Sequence, residues 1–203
     1  IHMLGNPRAT IAKEATFDED YFKSLGLDLD KKTILIVMGS LGSSSVNELM
    51  KSALKDVNDD LQFLYVCGKD NSQDLNLFES QKNVVPYVDT LRIYGHVDGM
   101  VCRAGATTLA EVTALGIPSI VIPSPYVANN HQFYNASMLL RQQACRIIEE
   151  KDLNAETLQG QIVSLYANPV VYEQTHEHAL QMGKPNAAYD IIDLLKNICK
   201  KGN

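Results

Sequence analysis

The chain has 203 residues, 45% of them hydrophobic, enough to bury the core of one α/β domain with room for a terminal extension. A formal net charge of −6 argues against nucleic acid as the main partner, because binders of phosphate backbones are usually basic. No apolar run approaches the roughly 20 residues needed to span a bilayer.

Residues Ile1 to Leu29 are mixed and polar, with Gly5-Asn6-Pro7 as a turn signal, and read as a lead-in segment rather than core. The chain opens at Ile1 without an initiator methionine, which leaves two readings open: a fragment of something longer, or a cloning remnant at His2-Met3. Thr33 to Met38 is a short β-branched run, expected to be a central strand buried on both faces. Gly39 to Ser45 breaks it, and Val46, Leu49, Met50, Ala53, Leu54 and Val57 follow at helical spacing behind a Ser45–Glu48 capping box. Further strands are expected at Gln62–Cys67, Asn83–Tyr87, Gly99–Cys102, Pro118–Ile122 and Ala144–Ile148. Between them lie helices at Thr90–Gly95, Leu109–Leu115 (ended by Gly116) and His131–Arg141. Strands alternating with helices predict a doubly wound parallel sheet, Rossmann-like, with ligands outside the carboxyl ends of the strands. After Glu149 the pattern turns helical, over Asn154–Tyr166, Pro169–Met182 and Pro185–Cys199. The domain reading is 1–30 as a linker and 31–203 as the nucleotide-binding domain, with a helical C-terminal tail. Cys67, Cys102, Cys145 and Cys199 form no C-x-x-C pair. They read as core residues in a reducing compartment, and with no visible signal peptide the default location is cytoplasmic.

Three loops are expected to converge at the carboxyl edge. Gly39 to Ser45 offers two glycines for close backbone approach, and serine hydroxyls and amides at a helix start, including Ser40 and Gly42. That suits an anion, although the same residues also make an ordinary βα turn. Neither a Walker lysine nor the dinucleotide glycine spacing is present. The second loop, Cys102-Arg103-Ala104-Gly105-Ala106-Thr107-Thr108, leads into a helix carrying Glu111. Amide N–H groups there would hold a phosphate, and Glu111 would either take ribose hydroxyls or fold back on Thr108 as a capping box. A helix starting at Thr108 selects the cap; a start at Gly105 or Ala106 leaves the carboxylate free. Arg103 reads as a phosphate ligand or as the partner of a structural ion pair. The third loop, Pro123 to Asn135, brings Gln132, His131 and Asn135 to a helix start, and uncharged amide and imidazole groups suit sugar hydroxyls. No metal is expected: His176 and His178 do not share a helix face, and none of the three loops contains an Asp-x-Asp.

These loops, with Gly5-Asn6-Pro7-Arg8, Pro86-Tyr87-Val88-Asp89, Gly116-x-Pro118, Asn130-His131-Gln132 and Pro185-Asn186-Ala187-Ala188, cover nearly the whole chain in order. Together they resemble the C-terminal half of MurG-type glycosyltransferases. The resemblance implies the donor half of a GT-B enzyme that transfers N-acetylglucosamine (GlcNAc) from UDP-GlcNAc to a lipid-linked muramoyl-pentapeptide in peptidoglycan synthesis. By it, Glu111 takes the ribose hydroxyls and the backbone near Val88 reads uracil. Ser40 and Gly42, with the amides of Gly105, Ala106, Thr107 and Thr108, hold the diphosphate. Gln132, His131 and Asn135 face the GlcNAc, and Arg8 approaches the nucleotide. It also implies no cofactor, an acceptor site and catalytic base in a missing N-terminal half, no turnover by this chain alone, and a peripheral location at the inner membrane face with only indirect membrane contact. The donor-binding subunit of a two-chain transferase and a UDP-GlcNAc 2-epimerase remain alternatives at this point.

Overall fold

The computed structural model describes residues 2–38, 49–50, 52–53, 61–69 and 83–201. Two short helices, α1 (Arg8–Glu14) and α2 (Glu19–Ser24), precede a sheet built from β1 (Lys32–Val37), β2 (Leu61–Val66), β3 (Val84–Val85), β4 (Gly99–Cys102), β5 (Ser119–Val121) and β6 (Arg146–Ile147). Among the described residues the strand order is β3-β2-β1-β4-β5-β6, and every pairing is parallel. Helices α3 (Ala106–Leu115), α4 (His131–Arg141), α5 (Ala155–Tyr166), α6 (Pro169–Met182) and α7 (Ala187–Lys201) lie between and after the later strands. The doubly wound architecture is as expected.

The period-2 pleat divides each strand between two cores. Leu35, Leu64, Val66, Met100, Cys102 and Val121 pack on one face with residues of α1, α3, α4 and α6. Ile34, Ile36, Tyr65, Val101, Ile120 and Ile122 pack on the other with Met50, Ala53 and α5. Gly99 is required by this second layer, since a Cβ there would lie 2.3 Å from the Tyr166 ring. The Tyr166 hydroxyl donates to Pro118 C=O at 3.0 Å. Cys67, Cys102 and Cys145 are buried and unbridged, and burial pushes the Cys102 and Cys145 thiols up to about 12.

Several boundaries differ from expectation. The predicted third strand shrinks to Val84–Val85, and the predicted helix at 90–95 is a pair of 3-10 turns, Thr90–Arg92 and Tyr94–His96. The lead-in segment is also packed more deeply than its composition suggests, with Ala9, Ala12, Phe22 and Leu27 all buried. Helices of 7 and 6 residues are too short to display a readable apolar period. The Gly39–Ser45 loop, with Ser40 and Gly42, and its capping box lie outside the described residues.

Sheet order reverses direction between β1 and β4. β1 pairs with β4 through Val37 opposite Cys102, and β4 with β5 through Cys102 opposite Val121. The carboxyl ends of β1, β4 and β5 therefore lie side by side, at a topological switch point where open α/β sheets bind ligands.

Candidate nucleotide-sugar site

Helix α3 begins at Ala106, with Gly105 as its N-cap, and no side chain caps it. Its first backbone bond runs from Leu109 N–H to Gly105 C=O at 3.0 Å, so the helix itself gives the N–H groups of Ala106, Thr107 and Thr108 no partner. The first turn carries no acidic side chain. Gly105 has an ordinary extended backbone, and a Cβ added there would meet only Thr108 Oγ1, at 3.8 Å. Neither torsion nor packing within the described residues requires glycine at this position. Amides without a helical partner, together with the helix dipole, suit an anion.

The start at Ala106 excludes the Thr108–Glu111 capping box. Glu111 is one turn further in than a box allows, and is buried at 5% exposure. Its carboxylate is nevertheless engaged. Oε2 accepts from the Tyr94 hydroxyl at 2.7 Å, and Oε1 pairs with Arg8 Nε. The hydrogen bond to Glu111 raises the Arg8 guanidinium above its ordinary value, against a smaller opposing effect of burial. Asn6 turns the chain into α1 by accepting from Arg8 N–H at 2.9 Å, and its amide reaches Thr107 Oγ1 at 3.4 Å. The Asn6–Arg8 corner thus touches both the helix start and the carboxylate.

Val88 is buried, and among the described residues neither its N–H nor its C=O has a hydrogen-bond partner. Buried backbone groups seldom stay unpaired without cause. The segment is held firmly from α2. Asp89 N–H donates to the Tyr21 hydroxyl at 3.0 Å, Arg92 lies 3.9 Å over the Tyr21 ring, and its Nη2 bonds Asp18 at 2.6 Å.

On the third loop, Gln132 Oε1 accepts from Ala104 N–H at 3.2 Å and Ser124 N–H at 2.9 Å. Asn135 Nδ2 donates to Ala104 C=O at 3.2 Å. These two amides fasten the β4–α3 turn to α4, leaving Gln132 Nε2 and Asn135 Oδ1 without a partner among the described residues. His131 is exposed, and its Nδ1 lies 3.0 Å from Ala128 C=O. A carbonyl only accepts, so Nδ1 carries the proton of this contact. Asn129 and Asn130 both adopt left-handed φ, 54° and 50°, a conformation that asparagine tolerates better than most residues. Arg103 takes the structural alternative: Nη1 donates to Glu150 at 2.6 Å and to Ile122 C=O at 3.2 Å, with both charged side chains largely buried. The sequence reading missed Tyr94, Asn6 and Glu150. Tyr94 lies 17 residues before Glu111 with no periodic relation to it, so no local signal connects them.

A parallel sheet with a helix start, a buried carboxylate and an amide cluster at its switch point belongs to the doubly wound class. Residues 33–195 match the glycosyltransferase family 28 C-terminal domain, and the chain belongs to that family. It is 40% identical over 190 residues to a UDP-N-acetylglucosamine–N-acetylmuramyl-(pentapeptide) pyrophosphoryl-undecaprenol N-acetylglucosamine transferase of Caldanaerobacter subterraneus, covering 89% of this chain and 52% of that protein. A transferase of the same name from Listeria welshimeri is 40% identical over 211 residues, covering 98% and 57%. The chain therefore spans about half the length of the curated relatives it matches. The crystal structure of Acinetobacter baumannii MurG is 27% identical with a TM-score of 0.74, over 92% of this chain and 55% of that one. A putative UDP-N-acetylglucosamine 2-epimerase from Listeria monocytogenes has a TM-score of 0.69 at 16% identity, a likeness of fold alone.

Proposed function

We propose that this chain is the donor-binding half of an inverting GlcNAc transferase, taking UDP-GlcNAc at the β1/β4/β5 edge. The observation that carries this reading is a buried carboxylate, Glu111, standing one turn inside a helix whose first three amides are open. A diphosphate on the amides of Ala106 to Thr108 puts a ribose within reach of that carboxylate. The Val88 backbone, without a partner among the described residues, suits the edge of uracil, and Gln132 Nε2, Asn135 Oδ1 and His131 suit GlcNAc hydroxyls. The family resemblance assigns Ser40 and Gly42 to the diphosphate as well, and Arg8 approaches the nucleotide from α1. Arg103 serves by fixing the β4–α3 turn rather than by touching phosphate.

In the reaction, an acceptor hydroxyl attacks the anomeric carbon, the bond from that carbon to the diphosphate breaks, and UDP leaves with the bonding pair. The α3 amides and helix dipole stabilise the charge developing on the leaving group. The acceptor is the lipid-linked muramoyl-pentapeptide of the relatives' name. Its binding site and the base that removes its proton belong to a preceding half, so this chain alone does not transfer sugar. Work on that acceptor places the enzyme at the inner face of the membrane. The chain's own part in that placement is indirect, and among its described residues no helix is long and apolar enough to cross a membrane.

Titration with UDP-GlcNAc, UDP-GalNAc and UDP, repeated for Glu111→Ala, tests the reading. Wild type is expected to bind UDP-GlcNAc, and the variant to lose about tenfold or more, the worth of one hydrogen bond to a carboxylate. Equal binding by the variant removes Glu111 from the ribose site, and robust sugar transfer by the 203-residue chain removes the division of labour.

A further inference from the structure

Glu111 is held by two unequal partners. Arg8 sits on α1 with its side chain 37% exposed, so water competes for its contact. Tyr94 is 5% exposed and packed among the core residues under α3. Its hydroxyl donates to Glu111 Oε2 at 2.7 Å. Burial, and next the charge of Glu111, raise the phenol well above its ordinary value, so it remains a donor throughout the working pH range. A carboxylate oxygen has two acceptor sites. The Tyr94 bond occupies one site on Oε2 and leaves the other.

We propose that Tyr94 is a positioning residue for sugar recognition. Its hydroxyl fixes the plane of the Glu111 carboxylate, so that the remaining lone pairs meet the ribose hydroxyls of a nucleoside diphosphate. The inference rests on the nucleotide reading of this site. Without Tyr94 the carboxylate keeps, among the described residues, the partly exposed Arg8 alone, and its plane can turn. Tyr94 touches no ligand itself; it acts through Glu111.

Tyr94→Phe keeps the ring and removes only the hydroxyl. The 203-residue chain and this variant are titrated by calorimetry with UDP and with 2′-deoxy-UDP. Wild type is expected to prefer UDP by about tenfold, the value of one hydrogen bond to a carboxylate. In Tyr94→Phe the preference is expected to fall below about threefold, mainly through weaker UDP binding. A merely structural tyrosine would weaken both ligands together and leave their ratio unchanged, and that result overturns the proposal while sparing the nucleotide reading. Failure of wild type to bind UDP, or to prefer it over the deoxy form, overturns both. A measurement on wild type alone guards against misfolding of the variant. With 13C-labelled tyrosine, the Tyr94 Cζ resonance is expected to shift on saturation with UDP but not with inorganic pyrophosphate. An unmoved resonance counts against the role.

Discussion

Gly105→Ala separates what the fold needs from what the ligand needs. The backbone at 105 has φ −66° and ψ 138°, open to any L-residue, and the nearest atom to a new Cβ is 3.8 Å away. Two small effects on stability oppose each other. Alanine is a poorer N-cap than glycine by about 0.5–1 kcal/mol, while a less flexible unfolded chain returns about 0.4–1 kcal/mol. The net change is expected to lie within about 0.5 kcal/mol, or a melting shift of about 2 °C. On the proposed reading binding responds differently, because the added methyl group crowds the helix start whose amides take the phosphate. Loss of one charge-assisted N–H···O bond is worth about 1.5–3 kcal/mol, a weakening of tenfold to over a hundredfold. Urea unfolding and UDP calorimetry on the same preparations check both halves. Unchanged UDP affinity in a folded variant refutes the phosphate seat, and a large loss of stability refutes the open packing around Gly105.

Two further outcomes test the frame around the site. Gly99→Ala forces a Cβ to within 2.3 Å of the Tyr166 ring and is expected to destabilise by about 1–3 kcal/mol, read as a lower urea midpoint; an unmoved midpoint contradicts the packing of α5 on β4. Asp18 caps α2 at Tyr21 N–H and pairs with Arg92, and these contacts hold its carboxyl below the usual value of 3.8. A lowered native value stabilises the fold above the unfolded value and is lost as pH falls through the native one. The stability gap between wild type and Asp18→Ala should therefore be full above about pH 4 and close below it; a gap independent of pH argues against the ion pair and cap.

The sheet was legible in the sequence because apolar strands such as Thr33–Met38 and Gly99–Cys102 are bounded by glycine and polar turns. Helix α4 was legible to the residue, His131–Arg141, because a polar cluster opens it and its period is clear. The start of α3 was misread by three residues. Ala106 and Thr107 carry no side-chain cap, so the threonine pair offered a stronger local signal than the true N-cap, Gly105. That shift bears on Glu111, since it excludes the box that would have folded the carboxylate onto its own helix. Tyr94 and Asn6 stayed silent for another reason. Each acts on α3 across the fold, through a contact between segments that are remote in sequence. The family motifs pointed to the proposed ligand; geometry supplied the residues that hold the motif in shape.

The ends of the chain meet behind this site. Thr10 Oγ1 on α1 accepts from Ala188 N–H on α7 at 3.0 Å, and Tyr189 donates to Glu14 at 2.6 Å. Arg8 closes on Glu111 across 103 residues, while the wall supporting α1 is 178 residues distant in sequence. During synthesis the first helix therefore waits, without its far buttress, until nearly all of the domain has emerged. Contacts of such separation repay their loop-closure entropy late. A chain stalled before residue 187 is expected to keep the Arg8–Glu111 and Tyr94–Glu111 contacts but to hold α1 without its support from α7.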